Sequence, residues 1–348
     1  MRKIIFISSA LQQPRHQKRI DILSKNFDLE VYYFFRDKYT QNYKNYSDGA
    51  KLISNIEDGK YINRLSGLFK LFSMLKKSNI ESVYCTSPDQ ALVSLLAGKI
   101  TYFEVGDLYQ IDGRNKVYQY LDEFIIPRIS GLILTSPYFY DGYYIKYENF
   151  LKNKVIIVEN KLPINFSSNI DKYRLNYDSI IDKENVKLGL IGSLAFTESL
   201  NLINNHIENS TNQELHIFGV GKVGLFDGTP HTFYHGPFKS PEDLSSIYKK
   251  IDINIILYDY DNNNVKLALP NKLYESIAFL KPIVCADNVA LSSYVLKNNI
   301  GVVVKDGDLN TAIQSIVDNY DYYVDNLKKM SQESYLCFEQ NDILKLFK

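Results

Sequence analysis

Short apolar runs and segments of helical spacing alternate along almost the whole chain. Residues 3–9 form a run that a strand buried on both faces needs, and 17–25 then place Ile20, Leu23 and Ser24 at helical spacing. The pattern continues through strand 29–35, helix 62–77, strand 82–86 and helix 90–97. Strand 100–105, helix 116–128, strand 131–135, helix 139–151 and strand 155–158 follow. Strand–helix alternation of this kind predicts a parallel sheet covered by helices on both faces.

Residues 166–185 interrupt the pattern with a polar stretch that includes Ser167-Ser168-Asn169 and Asp171-Lys172, and an interdomain linker is expected there. The alternation restarts with strand 187–191, helix 198–207, strands 214–218 and 232–235, and helix 242–249. It ends with strand 253–258, helix 271–279, strand 282–286, helix 292–297 and strand 301–304. The expected organisation is a first Rossmann-like domain over 1–165, the linker, a second over 186–324, and a helical tail over 325–348 that crosses back to the first domain. Two such α/β domains facing each other would leave a cleft at the carboxyl ends of their strands, where sheets of this kind bind ligands.

The chain's 348 residues suit two domains of ordinary size. Lys plus Arg equal Asp plus Glu at 40 each, so no global field selects nucleic acid or an anionic surface, and any basic patch must be local. Cys85, Cys285 and Cys337 form no CxxC pair, which indicates neither a zinc site nor a redox dithiol; a reducing cytoplasm is the simplest setting. The five histidines share no ligand spacing, so no metal is expected. The apolar start at 4–10 is too brief for a secretion signal, and no stretch approaches the ~18 apolar residues of a spanning helix.

The segment with most chemistry is Leu269-Pro270-Asn271-Lys272-Leu273-Tyr274-Glu275, running on to Lys281-Pro282. Pro270 suits a helix start, where its missing N–H costs nothing. Lys272 and Glu275, three apart, project together near that start. Helix N-termini offer N–H groups and positive potential to a diphosphate, Lys272 adds a full charge, and Glu275 can accept hydrogen bonds from a ribose diol. A capped surface helix with an i,i+3 ion pair is the competing reading of the same residues.

The order of motifs resembles the donor domain of GT-B glycosyltransferases of retaining family 4, in particular bacterial capsule and O-antigen enzymes. Gly189 to Leu194, with Gly192 and Ser193, is similar to that domain's first strand and glycine turn. His216 to Gly221, with Gly219, is similar to its next strand and loop, and the segment from Pro270 to Pro282 to its donor helix. In the first half, Pro14-Arg15 and Tyr102 to Leu108, with Asp107, resemble loops on the acceptor side. Two positions depart from the family. Leu267 stands where relatives carry a Glu, and no basic residue follows the Gly192 turn, so Lys266 or Lys272 would have to meet the diphosphate.

The resemblance implies transfer of a sugar from a nucleoside diphosphate sugar, UDP- or GDP-linked, to a hydroxyl of a glycan or lipid-linked saccharide. It implies retention of configuration, with no cofactor and no metal. Asp107 and Lys272 would be catalytic. Gly192, Ser193, Gly219, Lys266, Pro270, Asn271, Lys272, Leu273 and Glu275 would hold the donor, and Arg15 and Asp107 would face the acceptor. A nucleotide-sugar epimerase or hydrolase of the same fold, or a silent sugar-nucleotide-binding partner, are the alternatives. The apolar run 68–77 with basic ends reads either as a helix packed on the sheet or as one resting peripherally on the inner face of a membrane.

Overall fold

The computed structural model describes residues 2–11, 13–35, 49–56, 61–111, 116–177, 180–259, 263–287 and 289–347. They divide into two compact units, Met1–Glu159 with Glu339–Lys348, and Asn160–Phe338.

The first unit runs β1 (Lys3–Ser8), α1 (Pro14–Asn26), β2 (Asp28–Phe35), β3 (Lys51–Asn55), α2 (Tyr61–Lys77), β4 (Ser82–Cys85) and α3 (Pro88–Leu96). It continues with β5 (Ile100–Val105), α4 (Lys116–Ile125), β6 (Gly131–Leu134), α5 (Pro137–Gly142), α6 (Glu148–Leu151) and β7 (Val155–Ile157). Its seven strands are parallel in the order β3-β2-β1-β4-β5-β6-β7. In β1, Ile4, Ile5, Phe6 and Ile7 are all buried, as both faces of a helix-covered sheet require. The strand order reverses between β1 and β4, which makes their carboxyl ends the place to look for a ligand site.

The second unit opens with α7 (Ser167–Leu175), β8 (Val186–Leu194), α8 (Thr197–Glu208), β9 (Gln213–Gly221), β10 (Thr232–Gly236), α9 (Leu244–Tyr248) and β11 (Ile253–Ile256). Then come α10 (Asn263–Leu267), α11 (Asn271–Ala278), β12 (Ile283–Cys285), α12 (Val289–Asn298), β13 (Gly301–Val303), α13 (Leu309–Asp318) and α14 (Tyr320–Lys329). Six parallel strands lie in the order β10-β9-β8-β11-β12-β13, with the reversal between β8 and β11. Leu309, Ile313 and Ile316 of α13 pack in one core with Leu188, Leu215 and Ile217 of the strands.

Several elements differ from the sequence expectation. Within the stretch expected as a linker, α7 is a helix of the second unit, because Ile170 and Tyr173, three apart, are buried there; 178–179 lie outside the described residues. Arg174 donates to the Ile277 and Leu327 carbonyls, satisfying acceptors at the ends of α11 and α14. The unit boundary falls between Glu159 and Asn160. The tail expected over 325–348 divides: α14 packs in the second unit, while the residues from Glu339 onward belong to the first, with Phe347 against Phe27 and Tyr102. The helix expected over 139–151 breaks at Tyr143, whose backbone leaves the helical region. Strand β3, an edge strand in which only Ile53 is buried, carries no continuous apolar run and was not expected.

Candidate functional site

The donor segment expected from the sequence lies at the carboxyl end of the second sheet. Strands β8 and β9 stay paired past their apolar cores, with Gly192 opposite Gly219 and Leu194 opposite Gly221. Both Gly192 and Gly219 have positive φ, +113° and +144°. A Cβ at 219 would stand 1.8 Å from the Gly192 carbonyl oxygen, so this close approach admits no side chain. The stem of Lys272 lies over the same turn: its Cε would be 2.9 Å from a Cβ at 192.

Lys272 is in the first turn of α11. Pro270 precedes the helix in extended conformation and no side chain caps it. The Leu273 N–H donates to the Pro270 carbonyl at 3.0 Å, and the Leu273 side chain is core. Asn271 is exposed, as is Ser193. Lys272 Nζ stands 3.5 Å from Glu275 Oε2 and 5.6 Å from the centre of the Phe238 ring. Glu275 is only 2% exposed and is held from behind, its Oε2 accepting from Tyr248 Oη at 3.0 Å. Burial, and next the Glu275 charge, raise the Tyr248 phenol well above its ordinary value, so it donates at every working pH. Asn254 on β11 donates to Ser276 Oγ at 2.7 Å and ties α11 to the sheet. Lys266 sits in the last turn of α10, half-buried.

A cation that sequence reasoning missed lies beside the glycine turns. Lys222, just past β9, donates its N–H to the Leu194 carbonyl and its ammonium to Thr197 Oγ1. No local pattern marks it, because the contact depends on the β8–β9 register. Asp259 was missed for the same reason. It accepts from the Ser199 N–H at 2.8 Å and the Ser199 hydroxyl at 2.9 Å, capping α8 from across the sheet. The α8 N-terminus is thereby satisfied in part by protein, whereas the start of α11 has no side-chain cap. Ser193, Phe196, Tyr258 and Lys272 line a cavity of about 30 Å³, the size of a water.

In the first unit, Arg15 and Asp107 come together at the carboxyl end of β5. The Arg15 guanidinium covers Gly106, where a Cβ would fall 1.9 Å from Nη1, and Asp107 follows, exposed. Beneath them lies a charge cluster that the sequence pattern did not show. Glu104, buried in β5, faces Arg15 Nε at 3.4 Å through Oε1 and Arg19 Nε at 3.1 Å through Oε2, and accepts from Tyr84 Oη. Burial alone would raise the Glu104 carboxyl; Arg19 and then Arg15 outweigh it and hold the group below the usual range. His16, also buried, has Nδ1 2.8 Å from Ser8 Oγ and 2.9 Å from the Ala10 carbonyl. Burial, reinforced by Arg15, lowers its pKa to about 3, so the ring is neutral.

A larger cavity of about 790 Å³ opens at the other end of the first sheet, lined by Arg2, Lys3 and Ser82 at the strand starts. It lies away from the carboxyl ends where such sheets bind ligands. Cys85, Cys285 and Cys337 are buried, and burial pushes the Cys285 thiol up to about 12. Among the described residues no three His, Cys, Asp or Glu side chains are grouped to hold a metal ion.

Two parallel α/β units of this construction, covering the whole chain, define a known architecture. HepE of Anabaena in complex with UDP-glucose is similar over 99% of this chain and 98% of its own, at 12% identity and TM-score 0.66. Sucrose-phosphate synthase from Thermosynechococcus elongatus is similar over 99% and 98%, at 12% identity and TM-score 0.69. WaaG, a glycosyltransferase involved in lipopolysaccharide biosynthesis, is similar over 98% of both chains, at 12% identity and TM-score 0.65. No protein-family model and no curated protein matches the sequence. The chain has the GT-B fold.

Proposed function

We propose that the chain transfers a sugar from a nucleoside diphosphate sugar, UDP- or GDP-linked, to a hydroxyl of a glycan or lipid-linked saccharide. Retention of configuration and a role in bacterial surface polysaccharide synthesis complete the reading. The observation that carries it is Lys272, seated on the Gly192–Gly219 pair at the start of α11 and beside buried Glu275. The likeness in fold to HepE with UDP-glucose and to WaaG supports it.

In this proposal the backbone turns at Gly192 and Gly219 admit the diphosphate, and Lys272 neutralises the charge that grows on it as the sugar leaves. Lys222 supplies a further cation beside these turns, and Lys266 remains a donor-side residue of the reading. Glu275 has Oε2 engaged by Tyr248 and Lys272, so Oε1 is the oxygen offered to the ribose diol. In the first unit, Asp107 and Arg15 orient the acceptor hydroxyl, with Asp107 as the base. Lysine and backbone N–H groups carry the charge stabilisation, with no metal.

A melting-temperature screen against UDP, GDP, CDP and dTDP tests the donor site, since a ligand at 100 times its Kd stabilises by about 2.7 kcal/mol. One nucleotide should raise the melting temperature of the wild type and of Asp107→Asn alike, and that of Lys272→Ala by clearly less. With the matching donor and an acceptor panel, the wild type should form a glycoside, Lys272→Ala should do so more slowly and Asp107→Asn not at all, in excess EDTA as without it. Epimer or free sugar formed from the donor alone would replace transfer with the epimerase or hydrolase reading. Binding without turnover would favour a silent partner.

A further inference from the structure

Helix α2 buries only one of its faces. Gly67, Leu71 and Leu75 meet the sheet, and Gly67 lies so close that a Cβ there would be 2.7 Å from the Phe34 ring. A second stripe at spacings of three, four and three, Ile62, Leu65, Phe69 and Phe72, points to solvent. Ile62 is 80% and Phe69 76% exposed, values that large apolar side chains on a soluble helix rarely combine on one line. The next step of the spacing is Lys76, whose ammonium lies 5.8 Å from the centre of the Phe72 ring. Lys70 and Lys77 flank the stripe, both exposed, with Lys70 donating to the Leu52 carbonyl. No acidic residue occurs anywhere between Tyr61 and Lys77.

An apolar line carrying two phenylalanines, edged by lysines and without a carboxylate, has the chemistry of a helix lying in a lipid headgroup layer. We infer that α2 docks the first unit on an anionic bilayer surface, with Phe69 and Phe72 entering the acyl boundary and Lys70, Lys76 and Lys77 on the lipid phosphates. The helix spans 17 residues along the surface, and no helix among the described residues is long and apolar enough to cross a membrane. The charge balance chooses this occupant over a protein face. A protein patch would need carboxylates matched to three particular lysines, whereas anionic headgroups are mobile and supply the match themselves.

Co-sedimentation of the full chain with phosphatidylcholine vesicles, with and without one quarter phosphatidylglycerol, tests this. The wild type should bind the anionic vesicles, weakly bind the neutral ones, and release as salt is raised. Lys70→Gln/Lys76→Gln/Lys77→Gln should lower partitioning on the order of 100-fold, at about 1 kcal/mol for each lysine near the surface. Phe69→Ser/Phe72→Ser should lower it at least roughly tenfold. Both variants should stay close to the wild-type melting temperature, since the lysines and Phe69 are exposed and of the five only Phe72, 36% exposed, is largely covered. Equal binding to neutral vesicles, no binding to anionic ones, or partitioning unchanged by either variant would overturn the inference. So would a wild-type dimer that the phenylalanine variant dissolves, which would make a second copy the occupant. No nucleotide or acceptor enters the measurement, so its failure is separate from any failure of the proposed transfer.

Discussion

The carboxyl ends of the two sheets use charge in opposite ways. In the first unit the carboxylate of Glu104 is enclosed by Arg15 and Arg19, with Tyr84 donating to it, and the cluster spends its charge on itself. In the second unit Lys272 rests on backbone, against a glycine turn, with Glu275 behind it and part of its side chain in solvent. A compensated buried cluster fixes the shape of a surface and holds Asp107 and the Gly106 loop in place. A cation anchored by its stem and still partly exposed can meet an anion. The comparison teaches which ion-paired group to read as structure: burial of both partners marks the Arg19–Glu104 pair, at 2% and 1% exposure, whereas Arg15 and Lys272, at 18% and 17%, each keep part of the side chain in solvent beside a buried carboxylate.

The largest effect should come from breaking the enclosed cluster. In Glu104→Ala, Arg19, itself 2% exposed, is left without its carboxylate, and such losses cost about 3–5 kcal/mol. For a unit of this size that is a fall in melting temperature of roughly 6–20 °C. Calorimetry measures it, and a fall of a degree or two would show that the cluster is not structural. Acid should expose the same contrast. His16 has a folded pKa of about 3 against roughly 6.5 unfolded, so below pH 6.5 only the unfolded chain takes the proton. Stability therefore declines as pH drops from 6.5, by about 2–3 kcal/mol at pH 4.5. Glu104, held low when folded, contributes stability above its unfolded value near ~4.3, and loses it as pH falls through the folded one. His16→Asn, whose amide reaches the position of Nδ1, should flatten the 6.5–4.5 segment and leave the steeper loss below it. An unchanged slope would mean that the ring is not buried neutral.

Much of this fold was legible because its strands are buried on both faces, so that runs such as Ile4 to Ile7 stand out in one dimension. The place of the expected donor segment was legible for a related reason: Pro270, Lys272 and Glu275 lie close together at the start of one helix. What stayed hidden depends on pairing across distance. Arg19 and Glu104 are 85 residues apart, Asp259 and Ser199 60, and Lys222 and Thr197 25. In each case the partner is chosen by strand order, which periodicity does not report. Helix α7 was hidden otherwise: Ile170 and Tyr173 are two apolar positions in a polar stretch, too few to outweigh its serines and asparagines.

The open half of the comparison predicts kinetics in place of melting. If Lys272 meets the diphosphate, the charge-assisted contact is worth about 1.5–3 kcal/mol, and Lys272→Ala should lower kcat/KM roughly 10- to 150-fold. Part of that loss should fall on kcat, because the charge on the leaving group grows during reaction. Glu275→Ala should raise donor KM with a smaller change in kcat, since a ribose diol keeps its charge throughout. It should also cost stability, because Tyr248 Oη loses its acceptor in a buried place. Steady-state kinetics on folded protein separate the two. Wild-type rates in both variants would move the donor site elsewhere.

The smallest effect belongs to Lys222, and it sharpens the comparison most. Lys222 is exposed, and among the described residues its ammonium is held by Thr197 and by no carboxylate. Water and salt screen such a charge more strongly than the half-buried one on Lys272. Lys222→Ala should therefore lower kcat/KM only roughly two- to fivefold, and the deficit should shrink as ionic strength rises toward 1 M. Lys272→Ala should keep most of its deficit in the same salt series, because its ammonium is shielded by Phe238 and Glu275. A Lys222 effect as large as that of Lys272, or one indifferent to salt, would mean that exposure does not rank these cations. The pair would then have to be read as one bidentate clamp on the diphosphate.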